Sequence, residues 1–376
     1  MIVTKPLNVA ATLLNCFPIP AKTGIDVNVD GSDMLRDRLV NDDGPPSRKL
    51  SPYVRPLVDT LQQAGHQVSV AVPAMSRSWI GKAHIIGAEL TATYVHPDQF
   101  RDDGSFVTST TSSTTTTTTT QHTHHHQGGL PLTPAASDEH LRASESSTTR
   151  HDDNNNNNNS DWVVVTNGTP ASCAQLGIYS LFRDRGEIDL VVSGPNHGRN
   201  ASTIFSLSSG TVGGALEAAT CGKRGVALSF GSKDEQPPEV IAAAARLSTR
   251  LIEYLYRHWD DSVELYNVNV PMRADVETQP VRYTRALPNV WTKGSLYAEV
   301  KSSPASNNTN NKNSDDSGKS RHFQWSAELS DIKQSLRESP EGTDARTVLD
   351  GFTSVTPLIA NFWHPPGFTG ELTLET

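Results

Sequence analysis

Four short runs of this chain are apolar almost without interruption: DWVVVTNG (161–168), EIDLVVSGPNHG (187–198), RGVALSFG (224–231) and VELYNVNVP (263–271). Strands of that kind are covered on both faces, which places them inside a mostly parallel sheet. Helical patterns lie between them. TPASCAQLGIYSLFRD (169–184) opens with Thr169 as N-cap and Pro170 at the first helical position. SSGTVGGALEAATCG (208–222) begins a helix rich in small residues. PPEVIAAAARLSTRLIEYLYRHW (237–259) places Ile241, Ala244, Leu247, Leu251 and Leu255 on one face. Upstream, SPYVRPLVDTLQQAG (51–65) reads as a helix closed by Gly65, and HQVSVAVP (66–73) as a strand. This βαβ alternation predicts a three-layer, doubly wound α/β fold with helices on both faces of the sheet. Pieces after 279, among them FQWSAEL and GFTSVTPLIANFW, predict a β-rich C-terminal extension.

Only 35% of the 376 residues are hydrophobic, so part of the chain stays outside the core. Residues 104–160 and 301–320 are polar and of low complexity, and they read as insertions into loops. His122, His124, His125 and His126 lie in the first tract and read as compositional bias, not as a metal site. A net charge of −9 argues against non-specific binding to nucleic acid or anionic membranes. No apolar run approaches the ~18 residues of a membrane span. LNVAATLLNCFPIPA near the start is a poor leader, because Asn8 and Asn15 interrupt it. The three cysteines, Cys16, Cys173 and Cys221, are too scattered for a disulfide framework or a zinc pattern, which suits a cytoplasmic protein.

In doubly wound sheets the ligand site lies beyond the carboxyl ends of the strands. One such end is RLVNDDGPPS, with Asn41, Asp42, Asp43 and Gly44 in succession. Adjacent carboxylates are tolerated in solvent or where a cation neutralises them. The plainer reading is a solvated turn, since Asn-Asp-Asp-Gly is good turn chemistry. The strand ending in VPAMSRSWIGKA offers Ser76 and Ser78, and the one ending in GPNHGRN offers Asn196, His197, Arg199 and Asn200. Two carboxylates, a hydroxyl and an amide oxygen make an all-oxygen site suited to Mg²⁺ or Mn²⁺. Ser208, Ser209, Gly210 and Thr211 fall at a helix N-terminus, where free N–H groups favour an anion. Each residue has a structural alternative. Ser209 and Thr211 are good caps, Asn196 a good turn residue, His197 an ordinary loop histidine and Arg199 a solvated charge. Together they point to phosphate-ester hydrolysis, which needs a cation beside an anion site.

VNDDG, SRSWIG, NGTPASCAQLG, DLVVSGPNHGRN, SSGTVGGALEA, GVALSFG, YNVNVP and GTDARTVLDGFTSVTPL, in this order, resemble the SurE (survival protein E) phosphatases. The likeness runs over about 36–100, 161–300 and 321–363. The GPNHGRN version is similar to the fungal branch, some members of which carry a tubulin-tyrosine-ligase-like domain after the SurE domain. The resemblance implies one SurE-like domain over 36–376, preceded by a poorly matched segment, 1–35. It implies a divalent-metal-dependent phosphomonoesterase for nucleoside 5′- and 3′-monophosphates that forms dimers or tetramers. Carried over, the metal ligands are Asp42, Asp43, Ser78 and Asn196, with Asp42 also handling the attacking water. Asn200, Ser209, Gly210 and Thr211 would hold the phosphate.

One departure stands out. DMLRDRLV puts Arg36, Asp37 and Arg38 where a central strand should be apolar. This suggests that residues 1–38 include sequence foreign to the fold. It also supports an alternative function, a catalytically weak or inactive module that binds nucleotide or protein. DVNVDGSDMLRD mimics a calcium loop but lacks the final Glu and flanking helices. A haloacid-dehalogenase phosphatase needs Asp-x-Asp after the first strand, and a dinucleotide-binding dehydrogenase needs G-x-G-x-x-G after a strand. Neither motif is present in that context.

Overall fold

The computed structural model describes residues 35–107, 160–292, 295–300, 321–327 and 329–361. Cys16, the 122–126 histidines, residues 26–34 of the calcium-loop mimic, most of the first low-complexity tract and all of the second lie outside the described residues. The strands are β1 (Arg36–Val40), β2 (Gln67–Pro73), β3 (Thr91–Val95), β4 (Trp162–Thr166), β5 (Leu190–His197), β6 (Arg224–Phe230), β7 (Leu265–Val270), β8 (Val281–Tyr283), β9 (Tyr297–Val300), β10 (His322–Trp325) and β11 (Thr353–Leu358). The helices are α1 (Val54–Gln63), α2 (Pro170–Leu176), α3 (Thr203–Ser208), α4 (Gly210–Thr220), α5 (Pro238–Arg257), α6 (Ser330–Arg337) and α7 (Asp344–Leu349).

Nine strands form one sheet in the order β3-β4-β2-β1-β5-β6-β7-β11-β8. From β4 across to β7 every neighbouring pair is parallel. β3 runs antiparallel on one edge, and β11 returns antiparallel against β7 with β8 outside it. The chain lays down β1, β2 and β4 in one direction, then β5, β6 and β7 in the other. The reversal between β1 and β5 is the switch point at which such sheets open a crevice.

The two faces are covered as the patterning requires. α1 and α5 cover Leu39, Val70, Val192 and Leu228, with Ala244, Leu247, Leu251 and Leu255 of α5 all buried there. Burying such a leucine contributes about 1.5–3 kcal/mol. α2 and α4 cover the opposite face, where Val40, Ala71, Val163 and Val191 point. The small residues of α4 have a steric reason. A β-carbon on Gly214 would lie 2.6 Å from Ser193 Oγ and 3.1 Å from a Val40 methyl, so the helix backbone rests directly on β1 and β5.

β1 corrects one expectation. Arg36–Arg38, read from charge as foreign to the fold, are part of its central strand, all three in register with β2 and Asp37 and Arg38 also with β5. Arg38 is buried with its two terminal nitrogens hydrogen-bonded, while its Nε has no partner. Its guanidinium donates to Ser69 Oγ at 3.0 Å and to the Phe182 carbonyl at 3.2 Å, and it lies 5.2 Å from the centroid of the Phe182 ring. Asp37, on the opposite face, is fully buried and both its oxygens lack a hydrogen-bond partner.

Other differences are local. The first low-complexity tract begins later than composition indicates, because Phe106 packs on Phe100 (ring centroids 5.7 Å apart) and Phe100 on Trp162 (5.7 Å). β3, α3, α6 and α7 were not read from sequence, being short elements of five to eight residues. The C-terminal extension is thus mixed, with β11 joining the main sheet and β9–β10 pairing apart from it. Among the described residues no helix is long and apolar enough to cross a membrane.

Candidate active site

β1 carries the chain into the crevice with Leu39 and Val40 buried, and the next three residues stay buried too. Asn41 makes the turn. Its Oδ1 accepts the Asp43 N–H, and its Nδ2 donates to Ser51 Oγ at 3.2 Å. Asp42 is 2% exposed and Asp43 7%, so the pair is not a solvated turn. The main chain of Asp42 accepts the Arg77 N–H at 2.7 Å, and Arg77 Nε donates to the Gly168 carbonyl at 2.9 Å. That clamp brings the Ser76–Ser78 loop to the pair, with the two hydroxyls 3.2 Å apart and exposed. Gly44, at φ +92°, permits the close approach: a β-carbon there would sit 3.3 Å from Ser76 N.

β5 reaches the same place. A bulge between Ser193 and Asn196 re-aims its end, and the His197 N–H donates to Asp43 Oδ2 at 2.7 Å. Asn196 Nδ2 donates to the Gly198 carbonyl, which leaves its Oδ1 for another donor or a cation. Two further strand ends thus meet the pair through the main chain of Arg77, next to Ser78, and of His197, next to Asn196.

The start of α4 is arranged differently from expectation. Ser209 caps the helix, accepting the Val212 N–H at 3.1 Å. Thr211 is fully buried, and its Oγ1 donates to Asp42 Oδ1 at 2.6 Å. The Asp42 carboxylate therefore lies at this helix N-terminus, and the hydroxyl of Thr211, read as a phosphate holder, is engaged by it. Gly210 lies against the same carboxylate, since a β-carbon there would be 2.8 Å from Asp42 Cβ. Asn200 is buried in a polar network: its N–H donates to Asn269 Oδ1 at 2.7 Å and its Nδ2 to Ser229 Oγ at 2.9 Å.

Three neighbours were not singled out as site residues from sequence. Arg77 clamps the Asp42 backbone, and Tyr53 packs edge-on to His197 with centroids 5.2 Å apart. Lys233 lies along the Gly198 turn, its Cε 2.9 Å from where a Gly198 β-carbon would be, and its charge favours ionised Asp42 and Asp43. A basic residue just past the end of β6 was the one available signal. The family model for survival protein SurE matches residues 38–293, more than half of the chain. The chain belongs to the SurE family. It is 28% identical over 355 residues to the probable tubulin–tyrosine ligase PBY1 of Saccharomyces cerevisiae, covering 90% of this chain and 43% of that protein. It is 32% identical to the 5′-nucleotidase SurE of Methanosarcina acetivorans (51% of this chain, 66% of that one) and 26% identical to that of Nitratidesulfovibrio vulgaris DP4 (91% and 100%). The chain therefore spans less than half of the yeast relative and just under two thirds of the archaeal one. The crystal structure of the SurE protein from Aquifex aeolicus superposes with a TM-score of 0.54 at 21% identity, covering 87% of this chain and 94% of that one, which establishes the shared fold.

The electrostatics of this SurE-family crevice suit a cation. Burial, and then the Asp42 charge, push Asp43 up to about 8, and burial raises Asp42 against the opposing bond from Thr211. Two buried carboxylates this close ionise together only beside positive charge. Among the described residues no three His, Cys, Asp or Glu side chains cluster to hold a metal. The candidate shell is two carboxylates completed by neutral oxygens, a donor set for a hard divalent ion.

Proposed function

We propose that the chain is a divalent-metal-dependent phosphomonoesterase that hydrolyses nucleoside 5′- and 3′-monophosphates and works as a dimer or tetramer. The carrying observation is the Asp42–Asp43 pair, buried at the switch point between β1 and β5, with the Thr211 hydroxyl on one carboxylate and the His197 N–H on the other. The names of the archaeal and bacterial relatives support the substrate class. Asp42, Asp43, Ser78 and Asn196 would hold Mg²⁺ or Mn²⁺. Such an ion, when bound, polarises a phosphoryl oxygen and lowers the pKa of water. Asp42, held in place by Thr211, orients the attacking water and takes its proton. Asn200, Ser209 and Gly210 face the phosphate from the β5 loop and the first turn of α4. Lys233 adds positive charge where the phosphate's own charge must be neutralised.

A non-catalytic binding module drew its support from the charged first strand, and that strand is formed, with the terminal nitrogens of Arg38 hydrogen-bonded. The deciding experiment is phosphate release from nucleotides and simple phosphomonoesters, with and without Mg²⁺ and Mn²⁺, beside calorimetric Mn²⁺ titration. Folded protein that neither binds metal nor releases phosphate would sink the enzyme reading. Light scattering in solution tests the assembly.

A further inference from the structure

A cavity of about 550 Å³ opens beside α3, within the range of small-molecule pockets. Three of the chain's six tryptophans line it, from three separate segments. Trp79 follows β2, Trp291 precedes β9, and Trp325 ends β10. The Trp79 and Trp291 rings lie 30° from parallel with centroids 6.2 Å apart, and Trp325 stands across Trp79 at 5.1 Å and 64°. Trp291 is 36% exposed and Trp325 48%, so ring surface stays uncovered.

Among the described residues no charged side chain lines the cavity. One polar atom of its wall residues is unmatched. Asn289 Oδ1 accepts the Ile204 N–H at 3.1 Å, which fixes the amide, while its Nδ2 is buried with no acceptor. A buried donor left unmade is costly unless a ligand supplies the acceptor. An aliphatic chain would leave it unmatched. A flat ring bearing an in-plane acceptor fits both the walls and the donor.

The cavity adjoins the carboxylate crevice. Trp79 is next to Ser78, and the Gly81 N–H donates to the Ser208 carbonyl at 2.9 Å. The segment continuing from Ser208 reaches Asp42 through Thr211.

We propose that this cavity is a subsite for the planar heteroaromatic base of the substrate, stacked on Trp79 and Trp291 with a ring acceptor on Asn289 Nδ2. The identity of the group attached to the base rests on the phosphomonoesterase reading, whereas ring binding does not.

The test has two arms, both on the full chain. In the first, tryptophan fluorescence is followed while adenosine, which has no phosphate, is added, with ribose as control. Saturable quenching by adenosine alone is expected. It should weaken about tenfold in Trp291→Ala, recover in Trp291→Phe and weaken in Asn289→Ala. Equal responses to adenosine and ribose, or no change in the variants, would overturn the subsite. In the second arm phosphate release is measured from adenosine 5′-monophosphate and from glycerol phosphate. The ratio of their kcat/KM values should fall about tenfold in Trp291→Ala, mainly through KM. An unchanged ratio with active enzyme overturns the subsite and leaves the phosphatase reading standing. Adenosine binding without release of phosphate from either ester does the reverse.

Discussion

At the scale of single residues, the crevice is governed by charge taken out of water. Asp43→Asn keeps the shape of the side chain and removes one of two like charges. Mn²⁺ affinity should fall by more than tenfold and turnover by about a hundredfold or more, while the metal-free thermal midpoint stays level or rises. A midpoint lowered by many degrees would show that Asp43 serves the fold. Asp37 makes a separate test, remote from the crevice. Burial, and then the charge of Asp189, push its carboxyl up to about 8 from 3.8. The unfolded chain gives up this proton near 3.8, while the folded chain keeps it until about 8. Its contribution to stability is therefore complete below 3.8 and is lost as pH rises to 8. Asp37→Asn should match wild type in strong acid and melt several degrees higher at pH 8. Identical melting at both ends of a pH series would refute the linkage.

At the scale of elements, the junction of α4 with β1 carries the most specific chemistry. The N-terminus of α4 offers its dipole and Thr211 to Asp42, the geometry in which a helix favours an anion. Thr211→Val removes the 2.6 Å bond without changing volume much. Metal affinity should drop several-fold, and Thr211→Ser should restore most of it. If inhibition by inorganic phosphate changed and Mn²⁺ binding did not, Thr211 would be a phosphate ligand after all. Gly210→Ala places a methyl 2.8 Å from Asp42 Cβ and 3.1 Å from Pro170 Cγ. A loss of about 1–3 kcal/mol in urea unfolding is expected, with metal affinity falling in parallel.

At the scale of the whole molecule, the described residues on either side of the first polar tract close the main sheet. β3 and β4 are antiparallel neighbours, and the Phe100–Phe106 pair packs beside Trp162 at the start of β4. Replacing residues 108–159 with a short Gly/Ser linker should leave the thermal midpoint within a few degrees. Loss of soluble protein would show that the tract packs. The sheet and its long helices were legible from sequence because apolar periodicity and caps act over a few residues: Thr169 capping α2 and the Leu247–Leu251–Leu255 stripe of α5 are local facts. So was the meeting of NDDG with GPNHGRN, because a doubly wound sheet brings its strand ends to one rim. The partners across that rim were not legible. Thr211 and Asp42 are 169 residues apart, and only the seating of α4 on β1 decides that this hydroxyl meets a carboxylate. Arg38 read as misplaced because local pattern carries no record of Ser69 and the Phe182 ring, which make its burial tolerable. Sequence determined the order of elements and the chemistry at their ends. Tertiary structure decided which of those groups lose water and which partners replace it, because desolvation and hydrogen bonding depend on distance in space.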